Sequence, residues 1–266
     1  KPGAITDAAE FIEKEIIEMI TPEERKFLRA ASVFRAPFPR DAIEGDVEVA
    51  KRLIERGLIQ EIGDRLEVHE MIKNIVYMRL AAEEKVGYHR AAADFYLKVG
   101  SNEEIIEAIY HLIKGYRQQQ AAFLAVEHGV RLIKEGYGDA LLSELSMIEE
   151  ADAPDLWPYI KILCGDIHTE KRRFEEAMKE YETCIEYTAA GAPRGERELF
   201  SYMLFGVSKE FLLARAHAYW RIGELQIKRG NVEEAKEAYR ESLKLFRELN
   251  SSSAEEIERR LLELGG

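Results

Sequence analysis

Apolar residues recur at steps of three and four through most of the chain, the pattern of amphipathic helices in series. The first such stretch, residues 7–20, places Phe11, Ile12, Ile16, Met19 and Ile20 at those steps, and Thr6 and Asp7 can cap it. Thr21-Pro22-Glu23-Glu24 restarts the chain with a cap, a proline at the first helical position and acids in the first turn. A second helix is therefore predicted over residues 24–34, ended by Pro37 and Pro39. Residues 40–45 leave room for a short helix only, and residues 47–56 predict a third that stops at Gly57. Residues 58–62 and 65–69 flank Gly63-Asp64 as the two strands of a hairpin.

Helix, short helix, helix and hairpin is the order of a winged helix, followed by a further helix over residues 70–82. From Val86 onward the pattern is helical throughout, punctuated by Gly100, Gly115, Gly136 and Gly138. Two later stretches repeat one frame. Gly165, Ala177, Tyr181 and Cys184 have the same spacing as Gly223, Ala235, Tyr239 and Ser242, and each matched pair stands 58 residues apart. That spacing describes a helical hairpin in which a small residue marks the crossing and a tyrosine fills the space beside it. The tyrosines are thus expected in the core. A close-packed array would repeat about every 34 residues, so about 24 extra residues fall around 191–214, predicted to form an extra or lengthened helix.

Both copies resemble tetratricopeptide repeats, with Cys164-Gly165 and Ile222-Gly223 where that family has Leu-Gly. Lys161 departs from the family's aromatic position, which Tyr219 fills in the second copy, and neither copy has the closing proline. The stretch LIERGLIQEIGDRLEVHEMIKNIVYMRL resembles the winged-helix module of signal-transducing ATPases with numerous domains (STAND proteins), in which helical repeats follow. The expected fold is mostly α: a connecting helix over 1–20, a winged-helix domain over 21–85 and a tetratricopeptide-like α-solenoid over 86–266. The resemblance implies a non-catalytic regulatory or sensor segment of a larger ATPase. No G-x-x-x-x-G-K-[ST] loop occurs, so a nucleotide-binding domain is expected ahead of Lys1 and would be an intramolecular partner.

Composition narrows the partners. The formal net charge is −12, but residues 1–90 hold 15 Lys and Arg against 18 Asp and Glu, so most of the excess acid lies in the repeat region. That favours a basic or apolar protein partner over nucleic acid or an anionic membrane. Two cysteines cannot build a disulfide framework, and no apolar run reaches the roughly 20 residues of a membrane span, so a cytoplasmic protein is expected.

Candidate chemistry is sparse. His69-Glu70 lacks the second histidine of a metallopeptidase motif because Lys73 stands there, and the other histidines, at 89, 111, 128, 168 and 217, show no ligand spacing. We expect surface or capping roles for them, with no metal, cofactor or catalytic residue. Lys171-Arg172-Arg173 suits a helix C-terminus by its charge alone. The concave face of stacked hairpins is the expected binding surface, with Tyr159, Asp166, Glu170, His217, Trp220, Glu224 and Lys228 facing a groove for a protein or peptide. The alternative is a DNA-binding regulator whose third helix contacts phosphates through Lys51, Arg52 and Arg56. Residues 22–80 carry 11 basic and 11 acidic side chains, without the basic excess that duplex binding needs.

Overall fold

The computed structural model describes residues 19–43, 47–189 and 209–265. Most of the helix expected over 7–20, the end of the short helix at 40–45 and most of the extra segment at 191–214 lie outside them. The chain forms two compact units, Lys1–Arg117 and Gln118–Gly266.

In the first unit, α1 (Pro22–Ala31) begins with Thr21 as its cap. It leads to the two-residue strand β1 (Phe38–Pro39), a 3-10 turn and α2 (Val47–Glu55). The hairpin β2 (Ile59–Ile62) and β3 (Arg65–Val68) follows, and then α3 (Glu70–Arg79). The sheet order is β1-β3-β2, all antiparallel, with Phe38 opposite Leu66 and Ile59 opposite Val68. This is the helix, strand, helix, hairpin order of a winged helix. Strand β1 is absent from the sequence reading because proline cannot donate to a ladder and reads as a break. It is tolerated here on an edge strand. Phe34, Phe38, Leu53 and Leu66 are buried, with Phe34 stacked on Phe38 at 4.4 Å between ring centroids. The hairpin of α4 (Ala82–Val99) and α5 (Asn102–Lys114) completes the unit.

An ion cluster locks α1 to α2. Glu24 is fully buried, and its carboxylate accepts the Thr21 N–H at 2.8 Å and the Arg52 Nε–H at 3.0 Å, with Arg56 Nε at 3.6 Å. Burial pushes the carboxyl up, but the Thr21 bond and the two guanidiniums outweigh it, and the group titrates below its ordinary 4.5. Glu24→Gln is therefore expected to lose about 1–3 kcal/mol, read as a lower urea midpoint at pH 7. The difference between the two proteins should shrink as pH falls below 4.5, where the wild-type carboxylate itself gains a proton.

In the second unit α6 (Gln118–Lys134), α7 (Gly138–Leu145), α8 (Trp157–Glu170) and α9 (Phe174–Ala189) precede α10 (Lys209–Arg229), α11 (Val232–Glu248) and α12 (Ser253–Glu263). The mostly helical architecture and the two repeat hairpins, α8–α9 and α10–α11, are as the sequence predicts. Helix α10 starts six residues earlier than the 58-residue offset from α8 would place it, so part of the extra segment does lengthen a helix. The two turns differ in one instructive way. Gly230 takes a φ of +84° in the second hairpin, and its counterpart in the first is Arg172 at +56°, a left-handed conformation that side chains disfavour.

Tyr181 and Tyr239 are each about 1% exposed and lie against Gly165 and Gly223. A Cβ on either glycine would come within 2.3 or 2.4 Å of the tyrosine ring. The glycine in this frame is therefore a notch that the ring occupies. Around it close two cores, one built on Ala177, Tyr181, Ala214 and Leu225, the other on Ala235, Tyr239, Phe246 and Ile257.

Candidate functional site

The two notches share a polar rim. The Tyr181 hydroxyl donates to Asp166 Oδ1 at 2.8 Å, and the Tyr239 hydroxyl donates to Glu224 Oε1 at 2.7 Å. Each acid follows its glycine directly, so the 58-residue offset carries the bond as well as the packing. Each acid also meets a cation from the helix that follows its hairpin: Arg221 of α10 reaches Asp166 at 2.9 Å, and Arg260 of α12 reaches Glu224 at 3.7 Å. Burial lifts the Asp166 carboxyl above its ordinary 3.8, against the opposing pull of Arg221 and the Tyr181 hydroxyl. Burial and the neighbouring acids likewise push both phenols up, so they remain donors.

These groups line a groove of about 450 Å³. Its walls are Val130, Ile133 and Lys134 of α6, Asp166, Thr169 and Glu170 of α8, Tyr181 of α9, Trp220, Arg221, Glu224 and Lys228 of α10, and Arg260 of α12. Alternate helices of the array thus present their faces to one hollow, as side chains on stacked hairpins do. Asp166, Glu170, Trp220, Glu224 and Lys228 come together here. Lys228 and Glu170 form a loose exposed pair at 3.8 Å.

Tyr159 and His217 stand outside the lining. The Tyr159 hydroxyl donates to the Glu210 carbonyl at 3.1 Å, joining α8 to the first turn of α10, and burial pushes its pKa up to about 12. His217 turns toward α11, edge-on to Phe246 at 5.1 Å and stacked with Trp220 at 6.0 Å. Both residues hold helices together, for a helix face wider than one groove buries its margins against its neighbours.

Sequence reasoning missed Val130, Ile133, Lys134, Thr169, Tyr181, Arg221 and Arg260 as groove residues, and of these the two arginines are the ones that meet the acids. The signal available was the position of Arg221 three residues before Glu224, but its partner depends on how the hairpins stack.

Elsewhere the charged candidates are engaged internally. Arg52 and Arg56 hold Glu24, while Lys51 lies 4.0 Å from Glu48 on the surface. Lys171 and Arg173 both pair with Asp139 of α7. Cys164 and Cys184 are buried free thiols whose pKa values burial pushes up to about 12.

The expectation of surface histidines fails at two positions. His89 of α4 and His111 of α5 are buried, with their Nδ1 atoms 2.8 Å apart, and His89 Nε2 meets the Tyr77 hydroxyl at 3.2 Å. Phe34, Tyr96 and Tyr110 box in His111. The reason is topological: the two positions are 22 residues apart and are brought together by the turn between antiparallel helices. Among the described residues, no group of three or more His, Cys, Asp or Glu side chains is placed to hold a metal ion. No described helix is long and apolar enough to cross a membrane.

Comparison with known proteins agrees with the repeat assignment. Residues 216–249 and residues 161–190 each match a tetratricopeptide repeat model. No curated protein matches the sequence. Among solved structures, the chain is similar to a Signal Transduction ATPase with Numerous Domains (STAND) protein with a tetratricopeptide repeat sensor from Pyrococcus horikoshii. The match has 16% identity and a TM-score of 0.40, over 96% of this chain and 49% of that one. The chain thus spans about half the length of that protein.

Proposed function

We propose that the chain is a non-catalytic sensor and interaction segment whose repeat unit captures a protein or peptide partner in the groove. The observation that carries this reading is the convergence of α6, α8, α10 and α12 on one open hollow that holds an indole and several charged side chains. Aromatic residues flanked by charge are the usual anchors of protein recognition. The STAND-like sequence around the hairpin supports a place within a larger ATPase, in which the winged-helix unit passes the bound state to a nucleotide-binding domain. Such relay requires that the partner bind one arrangement of the protein better than another.

Trp220→Ala tests the groove. It is expected to weaken capture of peptides selected on the wild-type chain by about ten-fold or more, the effect of losing an aromatic anchor. An unchanged helical circular dichroism signal would separate this loss from unfolding. Peptides that bind Trp220→Ala as tightly as wild type would overturn the assignment. The STAND assignment has its own test, the mass and N-terminal sequence of the native polypeptide in its source cells. A phosphate-binding loop ahead of Lys1 is the expected result, and a native chain starting at Lys1 would refute it.

A further inference from the structure

The repeat region is acidic as a whole, yet its groove is not. Lining cations are Lys134, Arg221, Lys228 and Arg260, and the acids are Asp166, Glu170 and Glu224, an excess of one positive charge. The acids are also less available than the cations. Asp166 is occupied by Tyr181 and Arg221, and Glu224 by Tyr239 and Arg260. Glu170 contributes only a surface contact, which screening leaves weak.

The cations keep free donors. Arg221 hydrogen-bonds Asp166 through Nε, and Arg260 hydrogen-bonds Glu256 through Nε. No described residue hydrogen-bonds the terminal amino groups of either guanidinium. Lys134 is exposed and has no ion-pair partner among the described residues. A guanidinium fixed at Nε with its outer nitrogens open is organised to take a carboxylate. Two of them, from alternate helices, would engage two acidic groups along an extended ligand, while Val130, Ile133 and Trp220 offer apolar wall to the residues between.

We infer that the partner presents an acidic segment to this groove, with Arg221 and Arg260 as its carboxylate contacts and Lys134 and Lys228 as flanking charge. The inference rests on the groove being the binding surface. It reverses the partner chemistry that the overall charge of the chain implies, because steering by net charge and recognition by local donors are separate effects.

Calorimetric titration of the chain with a short alternating Glu-Leu peptide, its Lys-Leu counterpart and pyrophosphate tests it. The acidic peptide is expected to bind and the basic one not to, with affinity falling as salt rises. Lys134→Glu and Lys228→Glu, both at exposed positions, are each expected to weaken the acidic peptide several-fold, and Arg260→Lys, which keeps the charge and loses the fork, to weaken it as well. Failure of the acidic peptide to bind would overturn the inference, as would equal binding of the basic peptide or indifference to all three substitutions. Pyrophosphate that binds alone and displaces the peptide would reassign the site to a small anion. Charge-blind peptide binding that still depends on Trp220 would remove the acidic partner and leave the groove's role standing.

Discussion

Gly223→Ala is expected to destabilise the protein by about 1–3 kcal/mol, although alanine is the better helix former. The added methyl would lie 2.4 Å from one ring carbon of Tyr239 and within 3 Å of two others. The ring cannot swing aside cheaply, since its hydroxyl is tied to Glu224 and its edges are closed in by Ala235 and Phe246. The roughly 1 kcal/mol of helix propensity gained is smaller than the cost of displacing a buried aromatic ring. In a Tyr239→Leu background the same change should cost much less, because the notch is then empty. A double-mutant cycle on denaturant midpoints reads the difference as a coupling energy. Additive effects would show that ring and notch do not depend on each other. Gly165→Ala, facing Tyr181 at 2.3 Å, is expected to behave alike.

A second large effect is expected in acid. His89 and His111 share one hydrogen bond between Nδ1 atoms, so one Nδ1 carries the proton and the other accepts. A single added proton can be held at an Nε2, but two would set N–H against N–H. Burial is the main force against charge here. It brings His89 from 6.5 down to about 4, with Lys114 adding repulsion, and holds His111 well below 6.5, with His89 and Arg35 opposing charge as well. Arg35 is in turn paired with Glu107, and the remaining neighbours, Tyr77, Tyr96 and Tyr110, supply no negative charge near neutrality.

The sign follows from the depressed values. Between about 4 and 6.5 the unfolded chain binds protons that the folded one refuses, so stability is complete above about pH 6.5 and declines as pH falls. Each histidine contributes up to about 1.4 kcal/mol per pH unit in that window, and the two together make the decline steep. Urea midpoints measured from pH 7 to 4.5 check this, with hydrogen exchange in α4 and α5 locating the loss. His111→Phe should flatten the profile. A wild-type midpoint that stays constant over this range would show that the pair does not resist protonation.

The parts of the molecule that the sequence made legible are those set by local rules or by repetition. The Thr21-Pro22 start and the Gly63-Asp64 turn act through neighbours in the chain, whereas the Gly-Ala-Tyr frame joins two helices and showed because it recurs at one fixed offset. The parts that stayed hidden depend on contacts between elements. Strand β1 exists because Leu66 offers it a partner, and Pro39 on its own reads as a stop. The histidine pair needs α4 and α5 to fold back on one another. The groove's outline was readable, since five of its lining residues lie on faces opposite the frame, but its charge was not. Net charge counts every surface acid, whereas the groove depends on which carboxylates are already held by a hydroxyl or a guanidinium.

The stacked hairpins also have a direction. Each acid is answered by an arginine from the helix after its hairpin, and in α10 that arginine is succeeded two residues later by the Gly223 notch for the next tyrosine. In α12 the residue two positions after Arg260 is Leu262, and its side chain is largely exposed. A tyrosine from another hairpin would find a branched side chain where it needs a vacancy. The helix that answers Glu224 therefore repeats the charge of α10 without its notch: Arg260 takes the part of Arg221, and Leu262 stands where the glycine would be.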